Sequence, residues 1–149
     1  LTLFELLLVL AILATTAVVV LPRLGSSPRA DLEAAARVVA AGFRQARSQA
    51  VTTGEPTVVL LDLERKKLLL EGKSEAAKGH RSRSLPRAVN YKLYTAQSEQ
   101  TSETRAGIRF YPDGSSTGGR VTATAGQHER LVDVDWLTGA IRIFAPGVQ

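Results

Sequence analysis

Leu6 to Leu21 contain only aliphatic residues apart from Thr15 and Thr16, and the stretch Leu1 to Leu21 carries one charge, Glu5. Apolarity on every side, with no polar stripe, predicts a hydrophobic helix rather than an amphipathic one. At about 1.5 Å per residue it reaches roughly 31 Å, the thickness of a bilayer's hydrocarbon. Pro22 and Gly25 interrupt it, and a kink or local melting is expected there. Ser27 then reads as an N-cap with Pro28 at the first helical position and Asp31 and Glu33 near the positive end of the helix dipole. From Leu32 the apolar residues fall at intervals of three or four (Ala35, Val39, Phe43, Ala46, Ala50), while Glu33, Arg37, Arg44 and Arg47 take another side. The spacing predicts an amphipathic helix over 28–53, closed by Gly54 and Pro56, with Glu33 and Arg37 as an i to i+4 pair.

Beyond residue 56 the pattern becomes that of strands. Thr57 to Asp62 and Leu68 to Glu71 read as a hairpin joined through the charged Glu64 to Lys67. Further strands are expected at Val89 to Tyr94, Gly107 to Tyr111, Gly119 to Thr124, Arg130 to Asp135 and Ala140 to Phe144. Pro112-Asp113-Gly114, Ala125-Gly126-Gln127 and Trp136-Leu137-Thr138-Gly139 supply turns between the later ones. Val132 and Val134 share one face of their strand, Asp133 and Asp135 the other. The helix therefore precedes an antiparallel sheet spanning 57–144, an α+β arrangement. The chain divides into an apolar segment, 1–24, and one globular domain, 25–149, of a size for a single core.

Composition narrows the chemistry. There are no cysteines, so disulfides, thiolate metal sites and a cysteine nucleophile are excluded together. Net charge is +5, yet Arg65 to Lys92 holds nine Lys and Arg against Glu71 and Glu75, a local +7. Such a stretch attracts nucleic acid or anionic lipid by counterion release. Gly72 to Ser84 has no aromatic to stack a base, which favours a solvated loop.

Glu5 is the residue that asks for an explanation. A carboxylate at membrane depth costs roughly 3 kcal/mol on insertion scales and marks a functional position by default. A chain-terminal amine is the nearest cationic candidate. The chain has no Met, and its apolar run opens at residue 1 without the charged segment and small-residue cleavage site of a signal peptide, so it reads as a helix cleaved on its N-terminal side and kept. On that reading a neighbouring copy's leading amine receives the carboxylate, and the pair fixes the axial offset between subunits, since removing either charge strands the other. An interfacial glutamate that snorkels to the membrane edge is the plainer alternative.

Leu1-Thr2-Leu3-Phe4-Glu5-Leu6-Leu7-Leu8-Val9-Leu10-Ala11-Ile12 resembles the mature N-terminus of type IV pilins and type II secretion pseudopilins, usually Phe-Thr-Leu-x-Glu-Leu followed by aliphatics, with Leu1 here in place of Phe. Gly107 to Gly119 and Val132 to Gly139 are similar to the sheet-and-turn signatures of H-class minor pseudopilins and related minor pilins. The resemblance implies a pilin-like fold, in which a long hydrophobic helix continues into an amphipathic helix packed on the sheet. It implies cleavage by a prepilin peptidase before Leu1, with methylation of the new amine. It also implies pairing through Glu5 and Leu1, and filament or membrane packing through Leu3, Phe4, Leu7, Leu8 and Ile12. The expected protein is a non-enzymatic minor pseudopilin at the tip of a periplasmic filament. It would be a single-pass inner-membrane protein with its domain in the periplasm, and its partners would be other minor and major pseudopilins. The alternative is a type IV pilus minor pilin in pilus assembly or DNA uptake, but the tail 145–149 has no basic residue, which argues against nucleic acid.

Other chemistry finds little support. The glycines of Asp113 to Gly119 suit a phosphate loop, but the Gly-Lys-Ser/Thr ending is missing and a tight connection accounts for them. Ser115 and Ser116 lack a general base, since His80 and His128 lie in polar loops. Asp133 and Asp135 offer oxygen ligands to a hard cation, but pairing with Arg130, Arg142 or Arg120 across the sheet is favoured. No catalytic residue, cofactor or metal is assigned. Trp136 reads as a core plug or, if exposed, as a partner contact.

Overall fold

A computed structural model of the chain describes residues 2–20, 27–72, 81–96, 100–102 and 104–147. Two helices come first, α1 over Leu3–Val20 and α2 over Pro28–Thr53. The expected continuity between them falls on residues 21–26, outside the described residues. Nine strands follow among the described residues: β1 Thr57–Asp62, β2 Lys67–Gly72, β3 Arg81–Ser84, β4 Asn90–Thr95, β5 Gln100–Ser102, β6 Arg105–Phe110, β7 Gly119–Ala125, β8 His128–Val134 and β9 Ile141–Phe144.

The ends of α2 are set by the residues the sequence offers for them. The Ser27 hydroxyl accepts from the Ala30 N–H at 3.2 Å, Pro28 occupies the first turn, and Gly54 closes the helix at φ 70°. Its buried face is built largely of small residues, Ala35, Ala36, Ala40, Gly42, Ala46 and Ala50, with Leu32, Val39 and Phe43. Small side chains let the strands approach closely. A Cβ on Gly42 would lie 2.1 Å from Leu68 Cδ2, so this mid-helix glycine is a contact point with β2. Glu33 does not take the expected helical partner Arg37. Its carboxylate instead accepts from Arg130 Nε of β8 at 2.8 Å, a tertiary pair in place of a local one.

Helix-first α+β order is as expected, but the strands form two antiparallel sheets rather than one. The five-stranded sheet runs β3-β2-β1-β6-β5 and the four-stranded sheet β4-β7-β8-β9. The division lies where β6 ends at Phe110 and the chain turns through Gly114 and Gly118, both at positive φ, before β7 pairs with β4 instead. The Thr95 hydroxyl bridges the two sheets by donating to the Gly107 carbonyl at 2.7 Å. One core joins the inner faces of both, with Val59, Leu61, Leu68, Ile108, Phe110, Val121 and Val132 against α2, and the Phe43 and Phe110 rings 6.1 Å apart. Strand β3 lies in the stretch read as a solvated loop, and β5 in a stretch where no strand was expected. Every residue of β3, Arg-Ser-Arg-Ser, is exposed at a sheet edge, so no apolar alternation announces it.

Candidate assembly surfaces

Leu3, Phe4, Leu7, Leu8 and Ile12 stand on α1 with more than half of each side chain exposed, from 51% for Leu8 to 80% for Leu3. Together they make one exposed apolar surface on α1. Among the described residues no helix is long and apolar enough to cross a membrane; the span expected over 1–24 continues past Val20 into residues outside that set. Leu1 also lies outside it.

Glu5 has a local role that the sequence reading missed. Its Oε2 accepts from the Thr2 N–H at 3.4 Å, and its own N–H donates to the Thr2 hydroxyl at 3.3 Å. This is a reciprocal capping box, for which Thr2-x-x-Glu5 is the sequence signal. The carboxylate therefore closes its own helix while remaining exposed at the tip of α1.

The two C-terminal signatures meet at the other end of the domain. Arg47, half-buried on α2, donates from Nε to the Gly114 carbonyl and from a terminal nitrogen to the Thr138 carbonyl, each at 3.1 Å. Gly139, at φ 63°, lies so near that a Cβ would be 2.1 Å from the Gly114 carbonyl oxygen. Buried Ser116 adds a third tie: its N–H donates to the Trp136 carbonyl at 2.9 Å and its hydroxyl to that of Asp135 at 3.0 Å. One guanidinium and one hydroxyl thus lock the turns 111–118 and 135–139 together. Nothing local in the sequence marks Arg47 for this task.

Asp135 caps its turn. Oδ1 accepts from the N–H groups of Leu137 and Thr138 and from the Thr138 hydroxyl at 2.8–3.0 Å, and the Thr138 N–H foremost holds the acid below its ordinary pKa. Asp113 is similarly lowered by the hydroxyl and N–H of Ser115. Asp133 makes its cross-sheet pair with Arg120, at 3.1 Å. Among the described residues no three His, Cys, Asp or Glu gather into a metal site. Ser115 turns its hydroxyl to Asp113 and Ser116 to a backbone carbonyl, while His128 opens β8 at the far end of the strand and His80 lies outside the described residues. Trp136 is not a core plug. β8 stops at Val134, and the indole stands 66% exposed beside Leu137, with its Cβ lying against Gly118.

Away from the β1–β2 tip the basic stretch is dispersed. Arg81 and Arg83 lie on edge strand β3 and Lys92 on β4 of the other sheet, while Lys73 and Lys78 lie outside the described residues. Arg83 donates to Gln45 of α2 at 2.7 Å, and Lys66 donates its ammonium protons to the carbonyls of Arg87 and Val89.

A helical stem ahead of a helix clasped by antiparallel sheets is the architecture of pilin-like subunits. The minor pseudopilin EpsH of the Vibrio cholerae type 2 secretion system has this fold, with a TM-score of 0.61 at 13% identity over 79% of this chain and 99% of that one. The type IV minor pilin FimU of Pseudomonas aeruginosa has it too, with a TM-score of 0.59 at 18% identity over 80% and 95%. Residues 35–139 match the model of the family described as type II transport protein GspH. Type II secretion system protein H of Xanthomonas campestris pv. campestris is 34% identical over 142 residues, 95% of this chain and 80% of that protein. The chain belongs to the GspH family.

Proposed function

We propose that this chain is a minor pseudopilin, a structural subunit at the tip of the periplasmic pseudopilus of a type II secretion system, acting by assembly rather than catalysis. The observation that carries the reading is the one acid on an otherwise uncharged, exposed apolar helix, in a chain of the GspH family. In this reading α1 and the residues after it wait in the inner membrane, single-pass, with the domain in the periplasm. On assembly the helix leaves lipid for a bundle of similar helices, and Glu5 meets the amine that peptidase cleavage before Leu1 creates on a neighbour. A charge pair in that medium selects its axial register because any offset leaves both ions unpaired. Trp136 and Leu137, on the turn tied down by Arg47, supply a pre-ordered contact for another pseudopilin, since exposed aromatics on rigid supports are the anchors interfaces favour. The DNA-uptake alternative is not favoured, because the family is that of type II transport.

The capping box sharpens the test. Glu5→Gln keeps a side chain that can reach back to the Thr2 N–H but removes the charge, whereas Glu5→Ala removes both. Both variants are expected to insert in the membrane as the parent does, and both to lose most filament incorporation, measured by co-purification with the other pseudopilins and by secretion. Normal incorporation of Glu5→Gln would show that the acid serves only its own helix.

A further inference from the structure

The end of the domain from which α2 starts carries a cationic surface held by specific bonds. The β1–β2 hairpin tip presents Arg65 and Lys67, both exposed, and the neighbouring loop presents exposed Arg87. These two segments are one unit. Lys66, the one described non-glycine residue at positive φ (49°), turns its ammonium to the Arg87 and Val89 carbonyls, and its own carbonyl accepts from the Leu85 N–H at 2.9 Å. Beneath the tip, buried Asp62 accepts from the Arg65 N–H at 2.9 Å and pairs with Arg105. The groove between tip and loop, about 540 Å³, is lined by Glu64, Arg65, Lys66, Lys67 and Arg87, four cations to one acid.

Its position follows from contacts alone. The Tyr91 hydroxyl donates to the Pro86 carbonyl, and in the four-stranded sheet Tyr91 pairs with Ala123 and Ala123 with Arg130, whose guanidinium donates to Glu33 near the start of α2. Arg87 therefore sits beside the start of α2. Seven peptide steps separate Ser27 from Val20, so this end lies within about 25 Å of the last residue of α1 whatever path the chain takes. The Arg47 joint lies toward the opposite end of α2.

We propose that the tip formed by Arg65, Lys67 and Arg87 docks on the anionic phospholipid surface of the membrane that holds α1, steadying the domain against the bilayer before assembly. This rests on the membrane reading above. Charge complementarity selects the partner: a basic cluster next to a membrane segment is drawn to anionic headgroups, and each Lys or Arg removed should weaken docking about fivefold. The bonds of Lys66 hold the three cations ready, so little side-chain and loop ordering is left to binding.

The chain lacks cysteine, so single labels can be placed at will. Full-length protein carrying a nitroxide at Ala88→Cys, Thr53→Cys or Leu10→Cys would be reconstituted in nanodiscs of phosphatidylglycerol with phosphatidylcholine, or of phosphatidylcholine alone. Relaxation by nickel tethered to the headgroups is the readout. The Ala88 label should approach the headgroups only in the anionic discs, retreat in about 0.5 M salt, and retreat stepwise in Arg65→Gln, Lys67→Gln and Arg87→Gln, while the Thr53 label stays in water. A Leu10 label in hydrocarbon with the Ala88 label in water in both lipids overturns the docking alone. A Leu10 label in water overturns the membrane reading as well. Lift-off of the Ala88 label by a short DNA duplex at physiological salt would overturn lipid as the partner in favour of nucleic acid.

Discussion

Asp62 shows how much one side chain can hold in this domain. It is 2% exposed, and its carboxylate takes the Arg65 N–H with one oxygen and Arg105 Nε with the other, each at 2.9 Å. The Arg65 N–H is the foremost influence holding its pKa below the ordinary 3.8, against the cost of burial, and Arg105 adds to it. The sign follows directly: the folded acid binds its proton less readily than the unfolded one. The stabilisation is therefore complete above the unfolded value of 3.8 and is lost as pH falls through the lower folded value. Asp62→Asn should cost about 1–2 kcal/mol near neutrality, because the Arg65 N–H loses a charged acceptor at a buried site while Arg105, 42% exposed, falls back on water. Urea unfolding at successive pH values should show the gap between parent and variant constant above pH 5 and closing below 3.8. A gap independent of pH down to 2 would mean that shape, and not charge, carries the effect. The Glu5 capping box belongs to the same scale. There, one sequence feature serves helix closure in the single chain and leaves the acid accessible for a second use.

At the scale of elements, what could be read in advance divides along the line between local and distant causes. The ends of α2 were legible because Ser27, Pro28 and Gly54 act on their own helix, and the β1–β2 hairpin because its register is set by a short connection. β3 was not, since an exposed edge strand needs no apolar face, and neither was the parting into two sheets, which depends on which strand β7 meets. Gly42 was passed over because glycine scores poorly in any helix pattern, although its contact with Leu68 sets the spacing between α2 and β2. Two effects oppose each other in Gly42→Ala. Alanine gains up to about 1 kcal/mol of helix propensity, while forcing a methyl into a packed core costs about 1–3 kcal/mol. Leu68 is fully buried and has little room to yield, so the clash should win, with net destabilisation of about 1 kcal/mol. Adding Leu68→Val should restore part of this, making the double variant more stable than the sum of the singles predicts. Simple additivity in denaturant unfolding would show that the two residues do not compete for the same space.

For the whole molecule the decisive question is what keeps two sheets and a helix in one rigid arrangement, and here Arg47 joins parts that lie 67 and 91 positions away in sequence. Glu5 and the exposed apolar face of α1 were legible because the hydrophobic pattern isolates them, and the turn signatures were legible as turns. Their meeting under one guanidinium was not, because an arginine on the flank of an amphipathic helix reads as a solvated side chain until the sheets are folded over it. The turn bearing Trp136 is held at its ends by Asp135 and Arg47. Its Trp136 and Leu137 side chains make few inward contacts, being 66% and 63% exposed, so its order depends on polar bonds rather than burial. Arg47→Ala removes a charged donor from two carbonyls and should cost about 2 kcal/mol, given roughly 1.5–3 kcal/mol for hydrogen bonds to charged groups less what water returns at a half-buried site. Arg47→Lys keeps the charge but not the fork, so one ammonium reaches one carbonyl and only part of the loss is recovered. Amide hydrogen exchange tests the coupling itself. In Arg47→Ala, Gly114 and Gly139 should exchange faster together, while the β1–β2 ladder at the other end keeps its protection. Acceleration of Gly139 alone would mean that the two turns are held independently and that Arg47 is not the joint between them.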